Sequence, residues 1–337
     1  MTVPPHTQEF EDAIKITPLS SHTYSADLVT QWSVGSAPNG GYLTAILYRL
    51  ATTHFQNTHP ARHSSQPMPI SMQLTFIRRS AVGPAMLTVR DVKLGLRTST
   101  IQVTLSQPGP STSPGKQVEK VAGYITVSDP VSEVGVSTAC SWELYPPPPD
   151  TKPPQFCSTP GERPVQNSPW KKTIMKQPQF RRASSNTEFW EPVDPRLDER
   201  RGITDQWGRL RPHGPKGGLG KWTAEAVAYL IDIFPMALEN LENATAKEME
   251  SPPPYWFPTI ALNVDFKKPL PKSGVEWLYS RVTTKSVRNG RTDIEVIVLD
   301  EAGEIVALAT QLGLVLGSSR NTGENSKGNN QQRSANL

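Results

Sequence analysis

The chain has 337 residues, about twice a usual single-domain length, so two domains or one duplicated domain is the expectation. Proline stands at 33 residues, close to a tenth against a usual share of about 5%, which excludes an all-helical protein because proline breaks helix interiors. The net charge of +4, with no basic block longer than three residues, gives no footprint for nucleic acid or an anionic membrane surface; two cysteines, Cys140 and Cys157, exclude a disulfide scaffold or a cysteine-built zinc site.

No apolar run approaches 18 residues, so no membrane-spanning helix is predicted. Residues 1–11 contain prolines and acids without an apolar core, so no secretory signal is predicted and a cytoplasmic location is the expectation. The terminus Ser334-Ala335-Asn336-Leu337 is a degenerate peroxisomal signal, with Asn336 where a basic residue belongs.

In chain order, residues 1–20 read as a lead-in. Residues 21–143 read as a first unit. Pro38-Asn39-Gly40-Gly41 opens a helix in which Leu43, Ile46, Leu47 and Leu50 recur at helical spacing on one face. Alternating strands are predicted at Ile70–Arg78, Ala85–Leu94, Thr98–Gln107 and Val118–Val127. Residues 144–180 read as a proline-rich connector that cannot pair as a central strand. In the second unit, 181–316, Ala226, Leu230, Ile233 and Phe234 mark a helix near 222–240. Strands follow at Thr259–Lys267, Trp277–Ser286, Thr292–Leu299 and Ile305–Leu316. The tail 317–337 is polar and Asn/Ser/Gly-rich, and disorder is expected there.

The two units repeat one pattern, a helix and then four long antiparallel strands. Phe76-Ile77-Arg78-Arg79 and Phe266-Lys267-Lys268-Pro269 each close a strand with an aromatic and a basic pair, and Leu96-Arg97-Thr98 and Gly290-Arg291-Thr292 share a turn position. An α+β fold follows, with one curved sheet wrapping each helix. Trp32 and Pro38-Asn39-Gly40-Gly41-Tyr42, the strand Pro258–Phe266 and the terminal Ile305–Gln311 together resemble the acyl-CoA thioesterase II type of the hotdog superfamily. The resemblance implies a double hotdog with its sheets joined edge to edge, acting on an acyl-CoA or carrier-bound acyl thioester, in fatty-acyl or secondary-metabolite metabolism. It also implies a homo-oligomer. No cofactor is expected.

The resemblance further implies an Asp, a Thr or Ser and a Gln in the second unit, where a carboxylate deprotonates water while hydroxyl and amide groups hold it. Gln311 matches the glutamine and Thr284 the hydroxyl. The acid position, five residues before Phe266, holds Ala261. Period 2 puts Ala261, Asn263 and Asp265 on one strand face. Asn263 is then a candidate to hold water or substrate, and a one-rung register shift would make Asp265 the acid. An Asp at position 261 is expected to restore hydrolysis. Trp32, Asn39, Gly40, Gly41, Tyr42 and Ala261 are the substrate-binding candidates, the glycine N–H groups being aimed at a thioester carbonyl. With the acid missing, a silent acyl-binding or scaffold protein, or a different reaction on a polyketide-like substrate, stands as the alternative.

His54, His59 and His63 read as surface histidines between helix and strand, so no metal site is expected. Lys216-Gly217-Gly218-Leu219-Gly220-Lys221 lacks the order of a phosphate loop, and no Gly-x-Ser-x-Gly elbow occurs. Arg78, Arg79, Lys267 and Lys268 are candidates to meet the phosphates of CoA, or ordinary strand-end charges.

Overall fold

Asn39 begins the first long helix because its side chain satisfies the first turn: Oδ1 accepts from the Tyr42 N–H at 3.1 Å. In the computed structural model, residues 9–62, 66–109, 115–138, 140–150, 152–154, 168–193, 202–211, 218–234 and 255–321 are described. The first half contains α1 (Phe10–Ala13), β1 (Ile16–Pro18), β2 (Thr23–Leu28), β3 (Ser33–Val34), β4 (Ala37–Pro38) and α2 (Gly40–Thr58). The long strands β5 (Met68–Phe76), β6 (Gly83–Leu94), β7 (Ser99–Pro108) and β8 (Gln117–Ser128) follow.

The second half contains β9 (Trp170–Lys172), β10 (Thr187–Pro192), β11 (Ile203–Leu210), α3 (Ala224–Leu230) and β12 (Tyr255–Trp256). Then come β13 (Thr259–Phe266), β14 (Trp277–Thr283), β15 (Val287–Arg288), β16 (Arg291–Leu299), β17 (Ile305–Leu314) and β18 (Leu316–Gly317). The eight long strands predicted from alternation are all present, displaced by at most three residues at their ends.

One antiparallel sheet of 14 strands runs through both halves in the order β1-β2-β6-β7-β8-β5-β13-β17-β16-β14-β11-β10-β9, with β15 paired to β16 beside this path. Within it, β2-β6-β7-β8-β5 and β11-β14-β16-β17-β13 are the same arrangement, and they meet at β5 and β13, where Leu74 pairs with Leu262 and Gln73 with Asn263. The expected edge-to-edge junction of two helix-wrapping sheets is therefore the observed one, the double-hotdog arrangement. Helix α2 lies inside it and packs against α3. Tyr42 through Tyr48 of α2 are all buried, more than the one face that the spacing suggests. A helix enclosed by sheet on one side and by a second helix on the other has little face left for water. Each fully buried aliphatic there contributes about 1.5–3 kcal/mol of transfer free energy.

Four expectations about organisation change. The lead-in from residue 9 onward is part of the core: Phe10 and Ile14 are buried, and the Phe10 ring lies 5.0 Å from that of Trp32. The connector contributes β9, whose Trp170 is buried, and Pro146 of the proline run accepts a hydrogen bond from Arg281 at 2.6 Å. The chain remains structured past Gly317, since Ser318–Asn321 form a short 3-10 helix and the buried Asn321 donates to Val34 O at 2.8 Å. The second helix, expected near 222–240, stops at Leu230 and a turn follows; residues 235–254 lie outside the described ones, as do His63, His213 and Cys157.

Candidate active site

Two local irregularities in the second half bring a set of polar side chains to the inner face of the sheet. Strand β13 pairs Thr259 with Gly313 of β17, yet Ala261 with Leu312, so Ile260 and Ala261 together oppose one partner residue. This bulge turns Thr259 inward, on the same side as Leu262 and its partner Gln311, and leaves Ala261 on the other side. The second irregularity is the early end of α3. After Leu230 the chain turns, with Asp232 N–H donating to Tyr229 O and Ile233 N–H to Leu230 O. Asp232 is thereby set against the start of α2.

The carboxylate of Asp232 is held by both halves. The Thr259 hydroxyl donates to Oδ1 at 3.0 Å. The Gly41 N–H donates to Oδ2 at 2.8 Å, and Asn39 Nδ2 donates to the same oxygen at 3.1 Å. Gln311, 5% exposed, anchors its amide by donating from Nε2 to Ile231 O at 2.8 Å. Its Oε1 lies 3.4 Å from the Thr259 hydroxyl. The Asn39 side chain thus has two tasks, capping α2 with its oxygen and holding Asp232 with its nitrogen.

Burial pushes the Asp232 carboxyl up to about 6, against the opposing pull of hydrogen bonds from Thr259, Gly41, Asn39 and Gln311. Asp232 stands at the wall of a cavity with little surface of its own open to water, and desolvation outweighs those bonds. The glycines are steric necessities here. A Cβ on Gly41 would stand 2.4 Å from Tyr229 O, and one on Gly40 2.8 Å from Asp232 Oδ2.

The cavity has a volume of about 330 Å³, with Asn39, Gly40, Asp232 and Thr259 on its polar wall. Leu43, Phe76, Phe234 and Ile294 supply apolar wall, and Arg78 and Arg79 stand in its lining at the end of β5. The Arg79 guanidinium lies 5.9 Å from the ring centre of Trp256. Among the described lining residues Asp232 is the one acid, and none is a histidine or cysteine, a donor set that does not match a metal centre. A buried carboxylate with a pKa near neutrality and an open cavity beside it can take a proton from water or from a bound substrate.

The expected site residues separate into four groups. Gln311, Asn39, Gly40 and Gly41 are at Asp232, although the Gly41 N–H is engaged by the carboxylate rather than aimed at a ligand. Trp32 and Tyr42 are core residues: their rings stack at 6.1 Å, both are buried, and the Tyr42 hydroxyl donates to Ala13 O at 2.8 Å. Ala261, Asn263 and Asp265 share one strand face as expected, but it is the outer one. Asn263 and Asp265 are exposed, Asn263 reaching Thr310 at 3.5 Å and Asp265 pairing with Lys267 at 3.4 Å. Thr284 follows β14, its N–H donating to Gly202 O at 2.7 Å, and is not in the cavity wall. The acid and the hydroxyl found beside Gln311 are Asp232 and Thr259, and an Asp at 261 would face outward. Of the basic pairs, Arg78 and Arg79 line the cavity, while Lys268 is engaged by Asp300 and Glu304. The signal in the sequence was the acid itself: Asp232 interrupts Ala228-Tyr229-Leu230-Ile231-Asp232-Ile233-Phe234, an apolar run where a carboxylate is costly to bury without partners.

Comparison with known proteins gives a consistent picture. Residues 28–128 match the profile of the acyl-CoA thioesterase N-terminal domain, and residues 149–315 that of the acyl-CoA thioesterase C-terminal domain. The thioesterase-like protein TwmA of Talaromyces wortmannii is 30% identical over 351 residues, with 94% of each chain covered. Among solved structures, a candidate thioesterase II from Thermobifida fusca YX superposes with a TM-score of 0.64 at 21% identity, covering 93% of this chain and 99% of its own. A conserved protein of unknown function with a hot dog fold from Alicyclobacillus acidocaldarius does so at 0.62 and 17%, covering 93% and 99%. At these identities the structures speak for the fold alone.

Proposed function

The chain belongs to the acyl-CoA thioesterase family, and on that premise we propose that it hydrolyses an acyl thioester in the cavity beside Asp232. The observation that carries this reading is a single carboxylate, raised to about 6, held by donors from both halves at the wall of an apolar-lined cavity. Asp232 acts as general base: it takes a proton from a water molecule whose oxygen attacks the thioester carbonyl. The carbon–sulfur bond breaks, the thiolate leaves, and the proton passes from Asp232 to the departing sulfur or to solvent. Thr259 and Gln311 orient the carboxylate and the attacking water. Gly40, in the first turn of α2, places the positive end of the helix dipole beside the carbonyl oxygen.

The acyl chain lies along Leu43, Phe76 and Phe234, and the cavity volume suits a short or partly inserted chain. Arg78 and Arg79 stand where the anionic end of a CoA or carrier phosphopantetheine reaches the surface, which favours an anionic thiol carrier over a neutral one.

Thiol release from a panel of acyl-CoAs tests the reading. Asp232→Asn removes the base and is expected to lower kcat/KM by about 10²–10⁴-fold. In the unaltered protein the rate falls about tenfold per unit below pH 6, because the ionised form is the active one. Tight acyl-CoA binding with no thiol release by the unaltered protein would refute hydrolysis and leave a silent acyl-binding protein.

A further inference from the structure

The histidines that the sequence disperses over a loop converge in space. His22 precedes β2, His54 lies in the last turns of α2, His59 caps that helix, and all three present Nε2 to one carboxylate, that of Asp91 on β6. The separations are 3.2 Å from His22 to Oδ2, 3.0 Å from His54 to Oδ1 and 2.8 Å from His59 to Oδ2. The ligand atoms of His22, His54 and Asp91 lie within 4.8 Å of one another. The rings of His22 and His59 flank that of His54 with centres 5.0 and 5.3 Å away.

The outer nitrogens are also held. His54 Nδ1 lies 3.2 Å from both Ser21 O and the Tyr24 hydroxyl, and His22 Nδ1 lies 2.8 Å from Ser21 Oγ. With an ion bound, His54 Nδ1–H donated to Ser21 O leaves the Nε2 lone pair directed inward, the second-sphere arrangement that fixes imidazole tautomers at metal centres; without one, Nε2–H donates to Asp91. Ligands bound at about 2.0–2.1 Å in a tetrahedron are about 3.3 Å apart, against the observed 3.2 Å from His22 and 3.0 Å from His54 to Asp91. Access from solvent exists, since the His22 side chain is 41% exposed while that of His54 is fully buried.

We propose that His22, His54 and Asp91, with His59 orienting the carboxylate, form a binding site for a divalent transition-metal ion, zinc by donor type, that ties the start of β2 and the end of α2 to β6. Two imidazoles and one carboxylate fill three positions of a tetrahedral shell and leave the fourth to water, while His59, bonded to Asp91 Oδ2, orients the carboxylate. The site belongs to the first half, at the opposite end of α2 from Asn39 and Gly41. A 19-residue helix is about 28 Å long, so this ion does not reach the thioester water and serves the fold instead.

The full chain, freed of metal by dialysis against a chelator, is titrated with zinc in competition with a chromophoric chelator, and separately with cobalt. One equivalent of zinc bound at micromolar or tighter affinity is expected, with the strong visible absorption of tetrahedral cobalt. His22→Gln, His59→Gln and Asp91→Asn, all partly solvent-accessible positions, should each weaken binding at least tenfold while thioester turnover and the circular dichroism spectrum stay unchanged. Stoichiometric zinc that these three variants do not weaken is bound elsewhere and overturns the proposal. So does the lack of any binding in competition, which leaves an imidazole–carboxylate hydrogen-bond cluster alone.

Discussion

The two halves of this molecule are one arrangement used twice, and they differ where chemistry enters. The first long strands after each helix, β5 and β13, carry a bulge at the same place: Pro69 pairs with Val127 and Ser71 with Thr126, as Thr259 pairs with Gly313 and Ala261 with Leu312. In the next rung Met72 faces Ile125, where Leu262 faces Gln311. The inward hydroxyl and amide of the second half therefore have Pro69 and Ile125 as their counterparts in the first. The helices differ too: α2 continues for 19 residues, whereas α3 stops after 7 and turns, which makes room for Asp232. The duplicated backbone supplies inward-facing positions in both halves, and a few substitutions decide which half carries the acid. The half without it still contributes, through the N-terminus of its helix.

The outer faces differ as strongly. That of the second half is covered by a second core of Trp170, Trp190, Trp207, Trp277, Tyr279 and Leu299. Beneath it Arg281 grips Asp205 with two hydrogen bonds of 2.6 and 2.8 Å, their side chains 3% and 4% exposed. Asp205 accepts a further bond from the Tyr279 hydroxyl. Arg281→Ala leaves that carboxylate buried and unpaired, and should cost about 3–5 kcal/mol of unfolding free energy. Urea unfolding checks this, and a loss below about 1 kcal/mol would show the pair to be solvated and the outer core loose.

A smaller effect of opposite sign is expected at the inner site. Because the folded-state pKa of Asp232 is raised to about 6, its ionisation opposes folding; that penalty is absent below about pH 4 and complete above about pH 6. Asp232→Asn should accordingly stabilise the fold at pH 8 by about 1–3 kcal/mol, and the gain should shrink as the pH falls from 6 towards 4. Unfolding at pH 4.5 and 8 measures the difference, and a variant less stable at pH 8 would contradict it. The smallest effect is expected on the outer face of β13. Asn263→Ala and Asp265→Ala should each change stability by less than about 0.5 kcal/mol and leave thiol release unaltered. A hundredfold loss of turnover in either would move the acid back to that face.

Alternation of apolar residues was sufficient to place the long strands, and helical spacing with Pro38-Asn39-Gly40-Gly41 sufficed for the start of α2, because burial of one face is imposed residue by residue. The repeat of helix and four strands was legible for the same reason. The strands Thr187–Pro192 and Ile203–Leu210 were not, since one is buried on nearly every residue and the other carries Asp205, Gln206 and Arg209 as inward or covered polar groups, so neither alternates in polarity. Gln311 was legible as a polar residue on a terminal strand. Thr259 was not, because its inward direction depends on a bulge, and a single extra residue reverses every side chain before it. Asp232 and the His22–His54–His59–Asp91 cluster depend on contacts between residues tens of positions apart or, for Gly41 and Asp232, 191 apart. Local sequence governs which face of an element is buried; which distant donors then share one carboxylate is decided only when the elements pack.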